Sequence, residues 1–130
     1  MDQEAPGELP RMKQPDDGPD FSGIDSLEKA TQLTEEGVLI PLLLLPTEFG
    51  GEPVAENTVF VPPFVQEIKE RTDREVIGAL IADGKVSRYS TIPQYEGRSF
   101  VPSALVIRAW DPQEFSTTIA IWGAALGEGL

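Results

Sequence analysis

An α+β domain is the fold class this sequence predicts, with an antiparallel meander sheet of five or six strands and two short helices packed on one face. Three observations lead there. Residues 24–36 carry apolar side chains at helical spacing, and residues 38–45 form an apolar run too short for a helix. From residue 76 onward, short apolar segments of strand length are separated by Asp-Gly, Pro and Gly. At 130 residues, 40% of them apolar, the chain has material for one core. The domain is assigned to residues 21–123. Residues 1–20, rich in proline and acids with almost no bulky apolar side chains, are expected as a disordered acidic tail, and residues 124–130 as a flexible C-terminal tail.

Ile24, Leu27, Ala30 or Thr31, and Thr34 share one side of the first expected helix, with Leu33 close by. Ser22 or Asp25 is placed to cap its start, and Gly37 stands where a left-handed residue ends a helix. Val38 to Leu45 reads as a strand covered on both faces, with Pro41 at an open or bulged rung. Thr47 to Asn57, punctuated by Gly50, Gly51 and Pro53, is a loop, and Thr58 to Val61 is a short strand. Pro63 suits the first turn of a second helix running to Asp73. Its expected inner face carries Phe64, Val65, Ile68 and Thr72, and its outer face the pairs Glu67–Arg71 and Glu70–Arg74.

Val76 to Ala82 and Lys85 to Ile92 are expected to form a hairpin about an Asp83-Gly84 turn, with Ile81 opposite Val86 and Gly78 opposite Tyr89. Ser99 to Trp110 resumes the sheet, with Leu105, Ile107 and Ala109 on one side. Ser116 to Trp122 closes it, with Ile119 and Ile121 alternating with Thr118, Ala120 and Trp122.

Composition excludes several chemistries. The chain has no Cys and no His, so it has neither disulfides nor a thiolate nucleophile, and it lacks the commonest general base and transition-metal ligand. Net charge is -12, distributed as -7 over residues 1–36, -3 over 37–66 and -2 over 67–130. Such a chain is repelled by nucleic-acid phosphates and attracts basic proteins. The acidic N-terminus lacks the apolar stretch of a secretory signal, and the longest apolar run falls far short of the ~20 residues that span a bilayer. A cytoplasmic protein with no membrane contact is expected.

Motifs are sparse. Gly97-Arg98-Ser99-Phe100-Val101 lacks the second glycine of a nucleophile elbow, and a Ser–Lys pair would need Lys69 or Lys85 to be buried, although both have polar neighbours. Gly50-Gly51 is followed by Glu52-Pro53 and so is no phosphate loop. Asp16-Asp17-Gly18-Pro19-Asp20 fails the ligand spacing of a calcium loop. No metal or cofactor is expected.

Two loops remain as candidate contact surfaces. Glu48, Glu52 and Glu56 surround Phe49, an arrangement suited to a partner's Lys or Arg unless Phe49 folds inward, and Tyr95-Glu96-Gly97-Arg98 offers a second such loop. The expected partner-binding residues are therefore Glu48, Phe49, Glu52, Glu56, Tyr95 and Glu96. The function they suggest is that of a non-enzymatic protein-binding module, such as an inhibitor or immunity protein that neutralises a basic toxin or nuclease. One alternative is a carboxylate enzyme of the glycoside-acting kind, using Glu48 or Glu96 with Trp110 and Trp122 near a sugar. A second is an assembly subunit pairing through a sheet edge.

Overall fold

The computed structural model describes residues 20–128. The expected tail at residues 1–20 and its Asp cluster fall outside that range apart from Asp20. Helix α1 (Leu27–Glu35) starts at Ser26, whose side chain accepts from Lys29 N. Ser26 therefore caps the helix, rather than Ser22 or Asp25, and Asp25 instead pairs with Lys29 at 2.8 Å. Gly37 ends α1 as expected: Gly37 N donates to Thr34 O and Val38 N to Leu33 O, the paired bonds of a Schellman close.

Strands β1 (Ile40–Leu43) and β2 (Thr58–Val61) pair antiparallel, with Leu42 opposite Val59. β1 is shorter than the apolar run, and its Pro41 is exposed, so this strand is not covered on both faces along its length. Between the two strands lie 3-10 turns at Thr47–Phe49 and Ala55–Asn57.

From Pro63 the chain stays helical for twenty residues: α2 (Pro63–Arg71), a π-helical stretch (Thr72–Ile77) and α3 (Gly78–Ala82), with right-handed helical dihedrals at both junctions. The expected strand Val76–Ala82 is thus the end of a helix, and the hairpin about Asp83-Gly84 does not form. Gly84, at φ 73°, ends the helix in a second Schellman close: its N donates to Ile81 O and Lys85 N to Leu80 O. Asp-Gly serves a helix end as readily as a type I′ turn, because both need a residue with positive φ.

The buried stripe of this helix is Val65, Lys69, Asp73 and Ile77, one residue in every four. A pure α-helix repeats every 3.6 residues, and the wider π-helical turn shifts the inner face toward a repeat of four. Phe64 and Ile68, expected inside, are exposed. Among the described residues, the i,i+4 ion pair that forms on this helix is Lys69–Asp73, and neither Glu67–Arg71 nor Glu70–Arg74 closes to one.

The expected single sheet of five or six strands is replaced by two sheets. One is the β1–β2 pair. The other is a three-stranded meander of β3 (Arg88–Gln94), β4 (Ala104–Trp110) and β5 (Glu114–Ala120). Leu105, Ile107 and Ala109 are buried on one side of β4 as the alternation implies, joined by Ile119 and Ile121. Pro93 lies in edge strand β3, where a missing amide hydrogen is tolerated. Pro102 is buried just ahead of β4, which begins at Ala104 rather than Ser99.

Residues 21–24 are fastened to the loop before β4. Phe100 N donates to Ile24 O at 2.7 Å and the Ser99 hydroxyl to Phe21 O at 2.8 Å. The Phe21 ring packs edge-on against buried Trp122, whose indole N–H donates to Val101 O. Beyond β5, Ala124–Glu128 forms a five-residue helix, α4, where the sequence suggested only a tail.

Candidate functional site

Two places concentrate polar chemistry or exposed apolar surface, and the candidate loops contribute to both. The first is inside. Lys69 Nζ donates to Asp73 Oδ2 at 2.6 Å and to the Tyr89 hydroxyl at 2.8 Å, with the Lys69 and Asp73 side chains only 2% and 3% exposed. The Tyr89 hydroxyl donates to Asp73 Oδ1 and accepts from Thr91 Oγ1, both at 2.8 Å. Tyr89 and Thr91 are two apart on β3, so the strand's period of two turns both hydroxyls to one face. A helix repeat of four supplies the facing Lys69 and Asp73.

Burial pushes the Lys69 ammonium below its ordinary pKa, against the opposing pull of Asp73, Glu48 and Glu70. Burial also raises the Tyr89 phenol well above its ordinary value, helped by the charges of Asp73 and Glu48. Lys69, Asp73, Tyr89 and Thr91 were not among the expected site residues. Lys69 has polar neighbours in sequence, Glu67 and Glu70, and is nevertheless among the most buried side chains of the described residues. The signal that was available was Val65, Lys69, Asp73 and Ile77 at intervals of four.

Glu48 lies at the mouth of this centre, lining a cavity of about 220 Å³ with Lys69 and Glu70. Phe49 folds inward, its ring 5.1 Å from that of Tyr89, and so is not an exposed aromatic among carboxylates. The turn that carries them is held by Asn57, whose side chain accepts from Leu45 N and donates to Leu45 O and Glu52 O.

The second place is on the surface. Val54, in the stretch between Glu52 and Glu56, and Tyr95, from the second candidate loop, line one groove of about 370 Å³ with Leu27 and Phe100. These four side chains are 44%, 49%, 57% and 42% exposed, respectively for Val54, Tyr95, Leu27 and Phe100. Glu28, Glu52 and Glu56, each exposed, are sequence neighbours of the lining residues. Tyr95 and Phe100 also flank a shallower hollow with Arg98.

No family, no curated protein and no solved structure matches this chain.

Glu96 has a structural partner: its Oε2 accepts from Ala124 N at 2.6 Å, at the start of α4. Trp122 is buried, and Trp110 lies against the Arg108 guanidinium at 4.9 Å, so the two indoles do not form an open platform for a sugar. Among the described residues, no group of three acidic side chains is arranged to hold a metal ion. Among the same residues, no helix is long and apolar enough to cross a membrane.

Proposed function

We propose that this protein is a protein-binding module whose groove between Val54, Leu27, Tyr95 and Phe100 takes an apolar side chain of a basic partner. The observation that carries the reading is the meeting of both candidate loops at a single groove lined by exposed apolar side chains. Interfaces draw most of their affinity from a few aromatic or aliphatic anchors seated in pockets, ringed by polar groups that exclude water. Tyr95 and Phe100 have the size for such anchors, and exposed Glu28, Glu52 and Glu56, next in sequence to lining residues, outnumber Arg98 beside them.

That excess of carboxylates selects for lysine and arginine beside the apolar anchor and speeds encounter with a basic surface. The chain's net charge of -12 acts in the same direction at longer range. Covering the basic working surface of a toxin or nuclease is the role this chemistry fits best, by likeness of charge and size alone. Glu96 is committed to Ala124 and the two indoles form no open platform for a sugar, which leaves the enzyme reading Glu48 alone, so the binding reading is preferred.

The experiment compares immobilised full-length wild type with a Tyr95→Ser/Phe100→Ser double variant as baits. Support is a partner of high pI that the wild type retains, that the double variant loses, and that salt releases. A partner held equally by both baits, or an acidic one, overturns the reading. A concentration-dependent dimer of the wild type, absent from the double variant by light scattering, would assign the groove to a second copy of this chain and overturn it too.

A further inference from the structure

The cavity over Lys69 is a separate site and does not depend on the groove. A lysine ammonium has three N–H donors, and two of those on Lys69 are used, by Asp73 Oδ2 and the Tyr89 hydroxyl. The Tyr89 hydroxyl is itself saturated, with one bond donated to Asp73 and two accepted. Among the described residues no acceptor takes the third Lys69 N–H, and Lys69 lines the cavity. The third donor of this buried ammonium is open to an acceptor from outside the chain, a water or a ligand oxygen.

The walls restrict what that acceptor belongs to. Leu42, Leu43 and Pro46 give an apolar side, and Glu48 and Glu70 give a carboxylate side. Lys69 and Asp73 cancel one another, so the two glutamates leave the site negative. An anion is repelled, and a cation that also carries a neutral oxygen is favoured. At about 220 Å³ the space lies below the roughly 300 to 1,000 Å³ of pockets that take drug-sized ligands.

We propose that this cavity binds a primary ammonium joined through one carbon to a carbonyl, the chemistry shared by amino-acid amides and the N-terminal residue of a polypeptide. The carbonyl oxygen accepts from Lys69 Nζ. The ammonium sits on the carboxylate side, at Glu48 and Glu70, and a short aliphatic side chain lies on Leu42, Leu43 and Pro46.

The test is an NMR titration of the nitrogen-15-labelled full chain with alaninamide and with the tripeptide amide Ala-Gly-Gly. N-acetylalaninamide, which has lost the charge, and n-propylamine, which has no carbonyl, are the controls. Saturable shifts at Leu43, Glu48 and Glu70 are expected for the first two ligands, with each control weaker by about tenfold or more. Glu48→Gln and Glu70→Gln change exposed residues and leave the fold intact, and each should weaken alaninamide by about tenfold. Equal affinity for the two ligands assigns the site to the amino-amide group alone, whereas tighter tripeptide binding assigns it to a polypeptide terminus. Absence of saturable shifts, as when only water occupies the cavity, overturns the proposal. So does N-acetylalaninamide binding as well as alaninamide.

Discussion

Lys69 and Asp73 form a 2.6 Å ion pair one helical turn apart, in a chain where the other ion pairs among the described residues are exposed. Breaking a buried pair from one side strands the other charge, which typically costs about 3 to 5 kcal/mol. Lys69→Met should lose that much in chemical denaturation, a large share of the roughly 5 to 15 kcal/mol that holds a domain together. Replacing Lys69, Asp73 and Tyr89 together by Met, Leu and Phe should recover most of it, because no charge is left behind. Arg88→Ala, which breaks an exposed 3.4 Å contact with Asp111, should cost less than about 1 kcal/mol.

Alkaline titration separates two opposing contributions. The folded chain holds the Tyr89 phenol proton above its ordinary value of 10.0, while the unfolded chain releases it there, so stability falls as pH rises past 10.0. Lys69 acts with the opposite sign. Its folded pKa is lowered, so below 10.5 there is a window in which the unfolded chain binds the extra proton and stability rises with pH. Urea midpoints measured across this range should climb, turn over near the two ordinary values and then drop. Tyr89→Phe should lower the midpoint throughout and flatten the final drop, and an unchanged alkaline drop in that variant would contradict the assignment.

Gly51 is where the first candidate loop meets the core. A β-carbon there would stand 1.8 Å from Leu45 O, which also accepts from the Asn57 side chain. Since Leu45 O is backbone, the chain itself would have to move. Gly51→Ala should therefore release the Asn57 clamp, and Asn57→Ala should give a similar loss by removing its three hydrogen bonds, each worth about 0.5 to 1.5 kcal/mol. Hydrogen exchange at the Leu45 amide reads this directly, and unchanged protection in both variants would contradict it.

The sequence carried the α+β class, both ends of α1 to within a few residues, β2, and the inward face of β4. These rest on local signals: a helix closed at Gly37, and bulky or small apolar residues at every second position through Leu105, Ile107 and Ala109. The long helix is not legible locally because two of its signals are ambiguous. Val76 to Ala82 carries enough apolar residues to pass for a strand, and Asp83-Gly84 fits a helix end and a hairpin equally. The π-helical stretch then kept Asp73 and Ile77 in line with Val65 and Lys69, a continuation that a period of 3.6 does not foresee. Of the expected contact residues, Glu52, Glu56 and Tyr95 lie in or beside the groove and Glu48 at the Lys69 cavity. Phe49 and Glu96 were claimed by Tyr89 and Ala124, contacts 40 and 28 residues away in the chain that no local pattern encodes.

The groove is tested most directly by the fluorescence anisotropy of a labelled peptide in which Leu and Phe alternate with Lys, titrated with the full-length chain at low and physiological salt. The expected result is saturable binding that weakens as salt rises, as it must when exposed charges steer the contact. It should weaken by about thirtyfold in Tyr95→Ser/Phe100→Ser, the scale of losing an anchor worth about 2 kcal/mol. Equal affinity of wild type and the double variant, or equal binding of a peptide with Glu in place of each Lys, would contradict the claim.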